Sequence, residues 1–287
     1  MKNIVYFFEY IAILFIYLLF QLLPLHLAIK LFSFLFRTLG KLSTANKIAI
    51  NNCKYVFPNL AEKEVSNIIK SSWNNLGITI CELLKINDVF NKNKIKYKKL
   101  ENIENLIKNN KQAIFISIHQ SNWEVLVPSL DRIGISIGGI YRHINNIFID
   151  KLILKIRQKS LVSKNSFYTP KGKKSAKDIV NAINNSSSIV LLIDQKDSSG
   201  EEVMFFNKKV KTQTGFLKIA RKYNLPIIPI QNKRINNGNI ELTFLEPFYH
   251  NNLEINDTQM MEKIHNKIEE WIKAEPTQWF WQHKRFS

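Results

Sequence analysis

Residues 113–124 read Ala-Ile-Phe-Ile-Ser-Ile-His-Gln-Ser-Asn-Trp-Glu, an apolar run that carries a histidine to its end and sets a glutamate five positions later. A neutral imidazole is a usable general base near neutral pH. A carboxylate beside it fixes its tautomer and stabilises the imidazolium that forms. His119 and Glu124 are therefore the candidate catalytic pair, with His119 taking the proton of a hydroxyl as that hydroxyl attacks an acyl group. The same two residues also suit a satisfied core histidine and a capping glutamate, because His-x4-Glu is a loose pattern.

The elements that must position this pair follow from the flanking sequence. Ala113 to Ile118 is short, apolar and isoleucine-rich, as a strand buried on both faces should be. Ser121 and Glu124 have the spacing of a capping box, so a helix is expected to begin there and fold the carboxylate back toward the imidazole. Ile135 to Tyr141 reads as the next strand and ends in Arg142, a candidate anion binder at the same sheet edge. Ser188 to Ile193 is a third buried strand that delivers Asp194 and Gln195. Pro226 to Gln231 and Asn239 to Leu245 read as further strands and the basic stretch Asn91 to Leu100 suits an exposed one or a solvated face, with helical segments expected at Leu60 to Leu84, Ile147 to Leu161 and Gly215 to Tyr223. The alternation predicts an α/β fold, a central sheet flanked by helices. The basic loop from Tyr168 to Ser175 offers Lys171 and Lys173 to a phosphate at a helix start, although it is no P-loop because Phe167 stands where the leading glycine would be.

The chain has 287 residues, 41 Lys and Arg against 23 Asp and Glu, and a formal net charge of +18. Such a protein attracts polyanions, anionic headgroups or an acidic protein. No nucleic-acid motif accompanies the charge. Cys53 and Cys81 lack metal-ligand spacing, and no Cys/His metal cluster is visible.

Ile4 to Leu23 is apolar apart from Glu9 and Gln21, just long enough to cross a bilayer at about 20 residues. We expect residues 1–24 to be a transmembrane anchor that remains attached, and residues 25–287 to form the rest as one domain. Lys30, Arg37, Lys41 and Lys47 follow the segment, which by the positive-inside rule places that domain in the cytoplasm. His26, Lys30, Ser33, Arg37 and Lys41 recur every three or four positions, the pattern of an interfacial helix or of a core helix with one wet face. Residues 278–286, Gln-Trp-Phe-Trp-Gln-His-Lys-Arg-Phe, have the aromatic and basic composition of a membrane interface.

Taken together, the His119-x4-Glu124 block, Tyr141-Arg142, Asp194-Gln195 with Val203 to Phe206, Thr214-Gly215 leading to Ala220-Arg221 and Pro226 to Pro229, and the terminal Pro276-x-Gln278-Trp279-x-Trp281-x-His283-x-Arg285 resemble the lipid A biosynthesis acyltransferases, the late lauroyl and myristoyl transferases. The resemblance runs over nearly the whole chain. It departs at Gln120-Ser121-Asn122, where the family often has Gly-Asn before the tryptophan. It implies a glycerolipid-acyltransferase-like fold with a mixed sheet, and a single-pass inner-membrane enzyme that faces the cytoplasm and needs no cofactor or metal. The acyl donor would be acyl carrier protein and the acceptor a hydroxyl on an acyl chain of a lipid A precursor. His119 would be the base and Glu124 its partner, with Arg142 near the oxyanion or a phosphate and Asp194 and Gln195 in a further substrate block. Backbone amides after His119 would help hold the oxyanion. The alternatives are an acyltransferase for another membrane glycolipid or glycerolipid, and a non-catalytic basic membrane-associated binding protein.

Overall fold

The computed structural model describes residues 2–250 and 255–286. In chain order, α1 is Lys2–Leu22, α2 Leu25–Leu39, α3 Thr44–Val56, α4 Glu62–Leu84, α5 Ile86–Asn91, β1 Ile95–Lys98 and α6 Glu101–Lys108. Next come β2 Ile114–Ser117, α7 Leu126–Arg132, β3 Ile137–Tyr141, α8 Ile147–Lys159, β4 Phe167–Pro170, α9 Lys173–Asn184 and β5 Ser188–Leu192. The chain ends with β6 Glu201–Phe205, β7 Lys208–Thr212, α10 Gly215–Tyr223, β8 Ile227–Arg234, β9 Ile240–Phe244 and α11 Asp257–Ala274.

Seven strands form one sheet in the order β1-β9-β8-β2-β5-β3-β4. β2 lies parallel to both β5 and β8, and β3 is parallel to β5 and β4. The sheet becomes mixed because β9 returns antiparallel to β8, with β1 parallel to β9. All four residues of β2 are buried, which explains their unbroken apolar character: helices cover both faces of the sheet. β1 alternates half-buried and exposed, so its lysines face water at the sheet edge. A separate antiparallel hairpin, β6 with β7, packs beneath α11.

Helix α4 buries Val65, Ile69 and Trp73 and packs against α2, which buries Leu25, Ala28 and Phe32. The two backbones approach closely at Gly77, where a Cβ would stand 2.6 Å from the carbonyl oxygen of Phe32. Glycine is required there by space. The outer face of α2 carries His26 and Lys30 but also exposed Leu27, Leu31 and Phe34, so its wet-side stripe is mixed rather than purely basic.

Two expectations are corrected at this level. The segment after β2 does not begin a helix at Ser121. That residue takes a left-handed backbone, φ 53°, and Asn122 caps a short 3-10 turn over Trp123–Val125 by accepting from the Glu124 amide. The C-terminal aromatics do not face a membrane: Trp279, Trp281, Arg285 and Phe286 are buried. Their polar edges find partners inside, the Trp281 indole donating to the Pro276 carbonyl at 2.7 Å and Arg285 donating to the Lys211 carbonyl and the Thr212 hydroxyl.

Candidate active site

The carboxyl ends of β2, β3 and β5 open into a cavity of about 420 Å3. One wall is polar, with His119, Glu124, Arg142, Arg157, Lys171, Gln195 and His283, and the inner wall is apolar, with Leu126, Val127, Ile140, Val190 and Leu192 among its side chains. Gly139 of β3 lies in this inner wall. A Cβ there would meet Val127 at 2.6 Å and the Tyr168 ring at 3.1 Å, so glycine keeps the space open.

The imidazole of His119 is held by Asp194, not by Glu124. Its Nδ1 lies 2.7 Å from Asp194 Oδ1, while its own backbone N–H donates to Asp194 Oδ2 at 3.0 Å. The Trp279 indole N–H donates to the same Oδ2 at 2.8 Å. Burial works against ionisation of this carboxyl, but the His119 ring and the converging N–H donors prevail and hold it below the usual carboxylate range. A carboxylate can only accept, so Nδ1 carries the proton and Nε2 presents its lone pair to the cavity. Gln195 Nε2 stands 3.2 Å from that lone pair and donates to it. The expectation that Glu124 orients the base is thus corrected in physical terms: its two oxygens are taken by Arg157, which donates Nε–H to one at 2.8 Å and Nη2–H to the other at 2.6 Å. This bidentate pair forms a rigid, largely buried part of the cavity wall.

The loop that carries His119 is fixed from three directions. The Ser121 carbonyl accepts from Thr79 at 2.7 Å and from Asn75 at 3.1 Å, both on α4. Asn122 donates to Glu82 at 2.8 Å, and Glu82 in turn receives both arms of Arg234 from β8 at 2.8 Å. The C-terminal segment closes over the loop: Ser121 N–H donates to the Gln278 carbonyl at 3.0 Å and Phe280 N–H to the His119 carbonyl at 2.9 Å. A left-handed serine costs about 1–3 kcal/mol, and this network over-determines it. Because the amides of His119, Gln120, Ser121 and Glu124 are all engaged within the protein, these four are not available to an oxyanion. Gln195 and the exposed Arg142 are among the polar side chains that line the cavity with His119.

Of the other sequence candidates, Lys171 reaches the cavity rim and pairs with Asp197 at 2.9 Å. Lys173 opens α9, and its side chain lies outside the described residues. Sequence reasoning missed Arg157, which lies 33 residues from Glu124 with no local spacing to betray the pair. It also missed His283, whose ring lines the cavity and whose basicity burial pushes down to about 4. Among the described residues, no group of three or more His, Cys, Asp or Glu side chains could hold a metal ion.

The family model for bacterial lipid A biosynthesis acyltransferases matches residues 1–287. The chain belongs to this family. A comparison with curated protein sequences finds no match. Among solved structures, this acyltransferase is similar to the 1-acyl-sn-glycerophosphate acyltransferase of Thermotoga maritima, at 13% identity over 85% of this chain and 99% of the other, with a TM-score of 0.38. The acyltransferase resemblance read from the sequence therefore holds for the whole chain, and the mixed sheet flanked by helices is the fold it implied.

Proposed function

We propose that this enzyme moves a fatty acyl chain from acyl carrier protein to a hydroxyl on an acyl chain of a lipid A precursor, at the cytoplasmic face of the inner membrane. The observation that carries the reading is the Asp194–His119 pair, whose Nε2 meets Gln195 in a cavity lined by apolar side chains and by Arg142 and Lys171. His119 Nε2 removes the acceptor hydroxyl proton as the oxygen attacks the thioester carbonyl. Gln195 and Arg142 donate to the oxyanion as it forms. Collapse of the tetrahedral intermediate breaks the C–S bond, and the departing sulfur takes the proton back from His119, so proton and charge balance over the cycle. The acyl chain fits the apolar wall, while Arg142, Lys171 and the net charge of +18 suit the phosphates of both the carrier's prosthetic arm and the acceptor. The Glu124–Arg157 pair acts here as fixed architecture beside the base.

The test is acyl transfer by membranes containing the protein, using a series of acyl carrier protein thioesters with a lipid A precursor and mass spectrometry of the lipid. We expect a mass gain of one acyl group that falls at least ~100-fold in His119→Ala, the usual scale for removing a general base. Membrane binding should be unchanged in the variant. Undiminished transfer by His119→Ala would sink the proposal, whereas transfer to a different glycolipid alone would reassign the acceptor.

A further inference from the structure

The base of the proposed reaction does not stand free in this structure. Asp194 holds its Nδ1–H at 2.7 Å, the Trp123 and Phe280 rings pack on the imidazole with centroids 5.2 and 6.1 Å away, and only 15% of its side chain is exposed. The one ring nitrogen that can take a proton, Nε2, lies 3.2 Å from the Gln195 side-chain nitrogen. With the proton on Nδ1, Nε2 can only accept, so the amide presents its N–H there; the amide oxygen in that place would set lone pair against lone pair. Among the described residues the Gln195 amide makes no other hydrogen bond. The lone pair that must receive the acceptor's proton is therefore already occupied.

The backbone on both sides of Gln195 is fixed. Ile193 N–H donates to the Ser117 carbonyl at 3.0 Å, and Asp194 is held by the His119 amide and the Trp279 indole. Asp197 donates its N–H to the Lys211 carbonyl at 3.1 Å, and its carboxylate pairs with Lys171 at 2.9 Å. Uncovering the base thus falls to rotation of the half-buried Gln195 side chain, which lines the cavity, rather than to movement of the loop.

We propose that Gln195 determines which nucleophile reaches the base, closing His119 to water and giving way to the acceptor hydroxyl; this inference rests on His119 being the base of acyl transfer. The hydroxyl takes the place of the amide at Nε2, and the released N–H turns to the thioester carbonyl, where it donates to the oxyanion. No covalent bond changes in the exchange, since one neutral hydrogen bond to Nε2 replaces another. The two nucleophiles differ in how they displace the amide. A lipid acceptor is also held through its apolar chains and phosphates, so at saturation the displacement is complete and its cost appears in KM. Water has no such hold, and at its fixed concentration the cost remains in the rate of thioester hydrolysis. In that side reaction His119 takes a proton from water, the C–S bond breaks to release a fatty acid, and the sulfur takes the proton back.

Gln195→Met tests this in the full-length protein, because it keeps the size and reach of the side chain and removes the N–H donor. The first readout needs no acyl transfer: diethyl pyrocarbonate attacks an unprotonated imidazole nitrogen, and peptide mass spectrometry separates His119 from the exposed His26 of the same molecule. At neutral pH the ratio of His119 to His26 modification should rise about 2- to 10-fold in the variant, the scale of one neutral hydrogen bond. The second readout is kinetic. Loss of an oxyanion donor slows transfer and hydrolysis alike, as both pass through the same tetrahedral carbon, so their ratio isolates the cap. KM for the lipid A precursor should fall by a similar factor although kcat falls too, and hydrolysis without acceptor should rise by that factor relative to transfer at saturating acceptor. A disordered site would raise KM instead. An unchanged modification ratio, or a KM that is unchanged or raised, would overturn the inference. Absence of acyl transfer by the wild-type protein would instead overturn the proposed reaction, and this role with it, whatever the modification ratio.

Discussion

At the scale of single residues, His119 and the carboxylate that holds its ring are separated by 75 positions, whereas the carboxylate five positions away serves an arginine. The two acids should therefore respond differently to loss of charge. Asp194→Asn keeps the shape but offers an amide that can stabilise the wrong tautomer of His119, with the proton on the nitrogen that must act as base. We expect kcat to fall by about 10³–10⁴-fold with KM little changed, since in well-studied triads the same replacement acts at this scale. Glu124→Gln leaves the His119–Asp194 geometry intact but strands the Arg157 charge, whose side chain is only 14% exposed. Removing one partner of such a pair costs about 3 kcal/mol or more, so its main effect should be a fall in unfolding temperature. Steady-state kinetics and thermal unfolding on both variants check this. Full kcat in Asp194→Asn, or a loss of kcat without destabilisation in Glu124→Gln, would return the orienting role to Glu124.

At the scale of elements, the depth of the cavity is set where β3 passes beneath α7, and Gly139 is the point of closest approach. A methyl group there must displace Val127 or Tyr168, and the space it takes comes from the apolar wall. Gly139→Ala should therefore shift preference toward shorter acyl donors, lowering kcat/KM for the best native chain by roughly 10-fold or more while sparing a chain shorter by two carbons. A methylene in an apolar pocket is worth about 1–3 kcal/mol. Equal loss across all chain lengths would mean that the substitution only disturbed the sheet. The buried strands, the helix following β3 and the place of His119 at a strand exit were legible in the sequence, because unbroken isoleucine-rich runs and their polar exits carry a local signal. The strand Phe167–Pro170 was not, since a short, mostly half-buried segment running into Pro-Lys-Gly reads as a turn. Nor were the partners of Glu124 and His119: sheet order decides which strand ends meet, and no spacing along the chain encodes it. The C-terminal aromatics misled for a related reason, their composition suiting a bilayer interface and a protein interior equally well.

At the scale of the whole molecule, the C-terminal portion acts as a clasp, and its acid sensitivity follows from two histidines it buries. His265 on α11 is fully buried, donates Nδ1–H to the Met204 carbonyl at 2.7 Å and turns Nε2 toward the Arg285 guanidinium. Burial, aided by that neighbouring cation, pushes its basicity down to about 3, and burial brings His283 to about 4. In the unfolded chain both titrate near the ordinary value of about 6.5, so the unfolded state binds more protons than the folded one throughout the interval below it. Their neutral burial is therefore tolerated in full above about pH 6.5, and stability falls as the pH drops from there toward 4. His265 alone contributes a slope of up to about 1.4 kcal/mol per pH unit, and His283, which is open to the cavity, contributes less. The depressed Asp194 carboxyl adds nothing to the slope in this window, because its contribution is lost only below the ordinary carboxylate range. Thermal unfolding of the full protein in detergent from pH 7.5 to 4.5 should show this decline. His265→Gln, which retains an amide donor for Met204, should flatten the slope by about one proton even if it lowers stability at neutral pH. An unchanged slope in that variant would show that acid loosens the molecule elsewhere and that the clasp is not what protonation opens.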